Sequence, residues 1–149
     1  AVKQFHDIFR VDASFFKAYS SLGRVYSLMG RYQEAIHFLQ QARARAGDLP
    51  SLLGALGQVY ARAGDERKAR ELLGRLEQLA KERFIPSTCF ALIHMGLGET
   101  GTALDWLERA CDRKEPSVTV LKVHPLYDPL RAEPRFAELL RRVGFPERG

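Results

Sequence analysis

The stretch Tyr19-Ser20-Ser21-Leu22-Gly23-Arg24-Val25-Tyr26-Ser27-Leu28-Met29-Gly30-Arg31-Tyr32-Gln33-Glu34-Ala35 sets the pattern from which the rest of the chain is read. Thirty-four residues later, Leu56, Gly57, Tyr60, Gly64 and Ala69 stand in the places of Leu22, Gly23, Tyr26, Gly30 and Ala35. One period further on, the same columns hold Phe90, Ala91, His94, Gly98 and Ala103. Alanine alone keeps the period at Ala1, Ala35, Ala69, Ala103 and Ala137. Self-similarity at a fixed period of this length marks a repeat array, in which each unit buries its apolar face only against its neighbours. Apolar spacing is helical throughout and predicts helices over about 14–29, 32–46, 50–63, 66–82, 87–97 and 100–113. Gly30, Gly64 and Gly98 would end the first helix of each pair, because glycine enters the left-handed region without a steric penalty. The small residues Gly23, Gly57 and Ala91 are expected to let that helix approach the second, where Ala35, Ala69 and Ala103 offer the matching notch. Tyr26 and Tyr60 would fill the space beside them, and His94, in the same column, is expected to do likewise.

Tyr19, Leu22, Gly23, Tyr26, Gly30, Tyr32, Ala35, Leu39 and Ala42 resemble the tetratricopeptide repeat, and the two later copies resemble it with increasing divergence. The resemblance implies an all-α fold, a right-handed superhelical stack of helix–turn–helix repeats with an atypical C-terminal cap. It also implies a protein-interaction scaffold without catalytic activity. The repeats are expected at 14–47, 48–81 and 82–115 of a single domain, with 116–149 as a degenerate capping repeat and 1–13 as the second helix of a truncated repeat. Ala1, Phe5 and Ile8 fall in the columns of Ala35, Leu39 and Ala42, so the chain is expected to be a fragment that opens inside a hairpin. Phe5, Ile8, Phe9 and Phe16 would then form an apolar edge able to drive self-association.

Proline reshapes the other end. Pro116, Pro125, Pro129 and Pro134 prevent a regular helix where the period would place one. The segment Ser117 to Pro134 is therefore expected to wrap the last full repeat, with a strand over Val118 to Val123 as the competing reading, before a short helix at 134–143 closes the stack. Residues 86–145, through Ala103-Leu104-Asp105-Trp106-Leu107-Glu108-Arg109-Ala110, Asp128-Pro129-Leu130-Arg131 and Glu133-Pro134-Arg135-Phe136, resemble the C-terminal end of repeat regions in large bacterial signalling proteins. That resemblance implies a regulatory region in a multidomain, cytoplasmic protein.

Chemistry-bearing constellations are sparse. Cys89 and Cys111 lack metal-ligand spacing and read as two unlinked thiols, which fits a reducing compartment. Cys89 and His94 lie about 140° apart around a helix, too far to share a face, and Asp105 with Glu108 reads as a solvated pair. No cofactor, metal or catalytic residue is expected. The net charge of +5 is carried mostly by arginine, in clusters such as Arg43/Arg45 and Arg67/Lys68/Arg70/Arg75 on the second helices. These clusters read as a solvated face laced with Glu34, Glu66, Glu71 and Glu77. Nucleic acid is the weaker alternative, since no aromatic residues interleave with the basic ones.

The face of each first helix opposite its notch defines a candidate groove for a peptide or protein partner, an acidic one by its charge. It comprises Lys17, Ser20, Arg24 and Ser27, then Ser51, Gly54, Gln58, Ala61 and Arg62, then Ile85, Thr88, Leu92 and Met95. The row grades from basic to apolar. Either a partner or the C-terminal segment would cover Leu92 and Met95. Two functions follow: a scaffold that recruits a protein through this groove or, as the alternative, a module that self-associates, giving a homo-oligomer that brings upstream effector domains together.

Overall fold

The computed structural model describes residues 16–121 and 125–143, and within them every regular element is helical. Helix α1 runs over 16–28, followed by α2 (Tyr32–Ala46), α3 (Pro50–Arg62), α4 (Glu66–Ala80), α5 (Ser87–Gly96) and α6 (Thr100–Asp112). Two 3-10 segments, Pro116–Val120 and Pro125–Leu130, lead into α7 (Pro134–Val143). The helices form an all-α repeat stack in which sequential neighbours pack, as the period predicts. The proposed second helix over 1–13, with Phe5, Ile8 and Phe9, lies outside the described residues.

Each first helix ends in the same turn. Gly30, Gly64 and Gly98 have φ of 78°, 93° and 78°. The following N–H reaches back five residues in every case: Arg31 to Tyr26 O, Asp65 to Tyr60 O and Glu99 to His94 O, at 2.8–2.9 Å. This bond satisfies a carbonyl that the helix end would leave orphaned. The turn after α6 repeats it without glycine. Lys114 sits at φ 55°, and Glu115 N donates to Ala110 O at 3.0 Å.

Ala35, Ala69, Ala103, Leu39, Leu56, Leu76 and Ile93 are completely buried. The notch at Gly23 is as expected: a Cβ there would lie 2.6 Å from Leu39 of the paired α2. At Gly57 the expectation of a notch for the paired helix is corrected. A Cβ there would meet Ile93 of α5 at 2.5 Å, so the close approach is to the next first helix. Gly54 against the Cys89 backbone and Gly96 against Gln58 O continue that seam. Three glycines therefore bring α3 and α5 together, and α3 is buried from Leu52 to Tyr60 on every side.

The C-terminal region follows the proline argument, and the described part of Val118 to Val123 is not a strand, because Pro116–Val120 is a 3-10 helix. Val118, Leu121, Tyr127, Leu130, Phe136 and Leu139 form a second core with Ala91, Leu104, Leu107 and Ala110. Asp105 and Glu108 both hold Arg135 of α7, at 2.7 and 3.0 Å. Arg142 pairs with Asp112.

Candidate functional site

The residues proposed for the groove separate into two sets. Lys17, Arg24 and Ser51 are exposed, and Arg62 is half-buried. Ser20, Ser27, Gln58 and Thr88 are buried, and Leu92 and Met95 are half-buried against the second core, which includes Tyr127 and Leu130. Ile85 is buried and precedes α5 rather than lying on it. Phe16, the described member of the proposed self-association edge, is half-buried and packs on the core of the first two repeats.

Electrostatics distinguish the groove cations from the arginines Arg43, Arg67, Arg70 and Arg75 of the second helices. On the second helices, Arg43 and Arg75 each reach Asp48 at 2.8 Å, Arg67 reaches Glu71 at 2.7 Å, and Arg70 reaches both Glu66 and Glu99 at 2.8 Å. The two guanidiniums hold the Asp48 carboxyl below its usual range, with Arg43 the larger influence. Glu99 is likewise held low, by Arg70 first and then by His94, whose Nδ1 lies 2.8 Å away. His94 thus ties the end of α5 to α4 through Glu99, which corrects the expectation of simple core filler. Lys17, Arg24 and Arg62 enter no ion pair among the described residues.

Two polar atoms in the buried part of the row, Ser27 Oγ and Gln58 Nε2, have no hydrogen-bond partner among the described residues. Each such group costs about 1–3 kcal/mol.

Two residues that the sequence reading did not select help to shape the site. Glu115, almost wholly buried, accepts from Ser87 N at 2.7 Å and from Ser87 Oγ at 2.8 Å, which pins the start of the C-terminal segment to the N-terminus of α5. Tyr127 is 4% exposed. Burial pushes its phenol well above the ordinary value, with Cys89 adding to the rise, while the Arg24 guanidinium of α1 opposes it. The signal for Tyr127 was a lone aromatic residue between Pro125 and Pro129; nothing in the sequence marked Glu115.

Catalytic chemistry is not supported by the cysteines. Burial, assisted by the Glu115 charge, raises the Cys89 thiol to about 12, so it is protonated at neutral pH and a poor nucleophile. Cys111 is raised too, by burial. Among the described residues, no three His, Cys, Asp or Glu side chains come together as a metal site. No described helix is long and apolar enough to cross a membrane. Between α2 and α4 lies an open cleft of about 270 Å³, lined by Gln40, Arg43, Tyr60, Lys68, Glu71, Leu72 and Arg75. Its polar groups already have partners: Gln40 Nε2 donates to Tyr60 Oη at 2.7 Å, Lys68 lies over the Tyr60 ring, and both arginines hold Asp48.

Residues 16–82, which span α1 to α4, match the family model described as tetratricopeptide repeat. With the all-helical stack, this match supports a tetratricopeptide repeat protein, a class of non-catalytic scaffolds that generally mediate protein–protein interaction. Comparison with curated proteins and with solved structures finds no match.

Proposed function

We propose that this chain is a protein-interaction scaffold that recruits an acidic peptide or protein segment to the first-helix face, beginning at Lys17, Arg24 and Arg62. The observation that carries the reading is the contrast in pairing. The arginines Arg43, Arg67, Arg70 and Arg75 of the second helices are each held by a carboxylate, Arg43 and Arg75 sharing Asp48, whereas the three groove cations enter no ion pair among the described residues. Cations without a carboxylate partner attract an incoming carboxylate and steer its approach. The apolar continuation at Leu92 and Met95 would add anchors for the same segment. The repeat units at 14–47, 48–81 and 82–115, with 116–149 as cap, are part of this proposal. So is the resemblance of residues 86–145 to bacterial signalling proteins, which supports a regulatory region in a multidomain cytoplasmic protein.

Charge reversal tests the groove. Replacing Lys17 and Arg24 by glutamate should weaken a fluorescent oligoglutamate probe at least tenfold, with the loss shrinking as salt is raised. The same reversal at Arg67 and Arg70 should change binding less than threefold. Equal losses from both pairs would reduce the attraction to net charge and defeat the reading.

A second function, self-association that brings upstream effector domains together, is favoured by one observation. Leu22, Val25 and Leu28 of α1 and Met29 in the turn after it are large apolar residues left exposed. Such a ridge is the kind of surface on which a second copy docks.

A further inference from the structure

The column that holds Leu72 on α4 holds Phe38 one period earlier and Trp106 one period later. Both aromatic residues stack on a ring of the first helix paired with theirs: Phe38 on Tyr26, with centroids 5.4 Å apart, and Trp106 on Phe90, at 4.3 Å. Leucine has no ring to offer, and in the middle repeat the Lys68 ammonium lies over Tyr60 instead, 5.3 Å from the centroid. Here the cleft of about 270 Å³ opens between α2 and α4, and a second opening of about 410 Å³ adjoins it, since Tyr60 and Lys68 line both. Cations converge on this cleft from separate elements. Arg43 Nε of α2 and Arg75 Nε of α4 donate to the two oxygens of a single carboxylate, Asp48, both at 2.8 Å. Arg83 Nη2 reaches the Asp48 carbonyl at 3.3 Å. Glu71 also lines the cleft, but Arg67 holds it at 2.7 Å. Lys68 enters no ion pair among the described residues. The lining cations Arg43, Lys68 and Arg75 therefore face only the one carboxylate of Asp48. Their existing ties engage only part of the available donors, because a guanidinium carries five N–H groups and an ammonium three. Tyr60 Oη accepts from Gln40 Nε2 at 2.7 Å and keeps its own proton to give. The repeat itself does not demand this set: the columns of Arg43, Tyr60 and Lys68 hold Glu77, His94 and Thr102 one period later.

We infer that the cleft between α2 and α4 is an anion site that takes a phosphate monoester, its phosphoryl oxygens held by Lys68, the Tyr60 hydroxyl and the remaining N–H groups of Arg43 and Arg75. The site is formed by second helices and goes beyond the scaffold reading, which concerns the first-helix face. Its chemistry selects phosphate over carboxylate. A carboxylate brings one charge and two oxygens in a plane, which a single guanidinium satisfies. A phosphoryl group brings nearly two charges and three acceptor oxygens, which suits donors arriving from α2, α3 and α4 together. Arginine offers it a planar fork and lysine a point charge. The cleft is slightly smaller than the roughly 300–1,000 Å³ of pockets for drug-sized ligands. It therefore admits the phosphoryl group with a small attached moiety, and the rest of a larger ligand would run into the adjoining opening past Gln33 and Ile36.

The test is a nuclear magnetic resonance titration of the isotope-labelled full chain with phenyl phosphate at constant ionic strength. Saturable shifts should centre on the Nε–H signals of Arg43 and Arg75, and acetate should bind about tenfold or more weakly. Lys68→Ala, at an exposed position, should weaken phenyl phosphate by about fivefold or more. Leu72→Phe, which restores an aromatic ring to the column, should fill the cleft and remove saturable binding. Should that variant lose its helical circular dichroism spectrum, Lys68→Ala alone decides. Lys17→Glu with Arg24→Glu should change phenyl phosphate binding by less than about threefold, so this site and the acidic-partner reading can fail independently. Equal affinity for acetate, shifts spread evenly over arginines outside the cleft such as Arg70 and Arg135, or binding that survives the cleft variants overturns the proposal. A short phosphoserine peptide separates the two sources of such a group, and both of its outcomes support the site. Binding about tenfold tighter than phenyl phosphate, with added shifts at Gln33 and Ile36, assigns a phosphorylated protein segment, whereas equal affinity assigns a free small monoester.

Discussion

At the scale of single residues, the left-handed turns set a measurable contrast. Gly30, Gly64 and Gly98 hold φ near 80–90° at no steric cost, whereas Lys114 holds φ 55° with a side chain in place. The left-handed region costs an L-residue roughly 1–2 kcal/mol. Glycine gives back about 0.5–1 kcal/mol in unfolded-chain entropy. Lys114→Gly should therefore stabilise the chain by about 0.5–1 kcal/mol, and Gly64→Ala should destabilise it by about 1–2 kcal/mol. Urea midpoints of the two variants check both signs. Asp48 makes a second residue-scale case. Its folded-state pKa is depressed by Arg43 and Arg75, so its ionised form stabilises the fold above the unfolded aspartate value near 3.8 and the contribution is lost as pH falls through the lower folded value. Asp48→Asn should narrow the stability gap between pH 5 and pH 2.5 relative to the unaltered chain, measured by urea denaturation at the two pH values. An unchanged gap would show that the pair with the two arginines contributes nothing.

At the scale of elements, the closing helix shows which interactions hold it. Arg135 is gripped by two carboxylates, yet its side chain is 43% exposed and theirs are 36% and 68% exposed. Exposed pairs of this kind are worth about 0.2–1 kcal/mol. Phe136, beside it in sequence, is completely buried in the second core. Removing its ring leaves a cavity, and such truncations cost about 3–5 kcal/mol. Arg135→Ala should accordingly lower stability by under 1 kcal/mol and Phe136→Ala by at least 3 kcal/mol, read by chemical denaturation. The same helix shows what sequence periodicity reveals. Its bounds, 134–143, could be read directly from Pro134 and the spacing of Phe136, Leu139 and Leu140, as could the regular helices to within two residues. The 3-10 segments before it were legible only as an absence of helix, because proline says what backbone cannot form and not where the chain then goes. Tyr127 and Glu115 escaped for that reason: the cluster that Tyr127 joins, with Ala91, Leu104 and Leu107, and the Ser87 that Glu115 holds lie far away in sequence, and no local pattern encodes such contacts.

At the scale of the whole molecule, the repeat makes its own internal control for the α1 ridge. Leu22 is 40% exposed and Val25 50%, whereas their counterparts one period later, Leu56 and Val59, are 0% and 1%, and Phe90 and Ile93 after them are equally buried. The residue types recur along the period and the environment does not, so the exposure belongs to α1 rather than to the columns themselves. Val59 and Ile93 also show what such a face accepts, since Ile93 fills the notch of Gly57 on the preceding first helix. A docking helix for the ridge would need a small residue opposite Val25. Burying one such side chain in full is worth about 1.5–3 kcal/mol. A contact that buries the ridge of both copies covers eight half-exposed side chains, which offer roughly 6–12 kcal/mol by that measure, against an association cost of about 4–15 kcal/mol. The balance predicts weak self-association: a monomer at about 10 μM and measurable dimer only near 1 mM, on the affinity scale where −4 kcal/mol corresponds to a millimolar constant. Sedimentation velocity across that range checks it, with Leu22→Glu/Val25→Glu as the comparison. The double variant should stay monomeric at both concentrations with an unchanged helical circular dichroism spectrum. A dimer already complete at 10 μM and broken by the variant would mean that the face is matched to its own copy, and self-association would then displace recruitment as the function. A dimer that survives the variant would place the contact elsewhere on the molecule, away from the ridge.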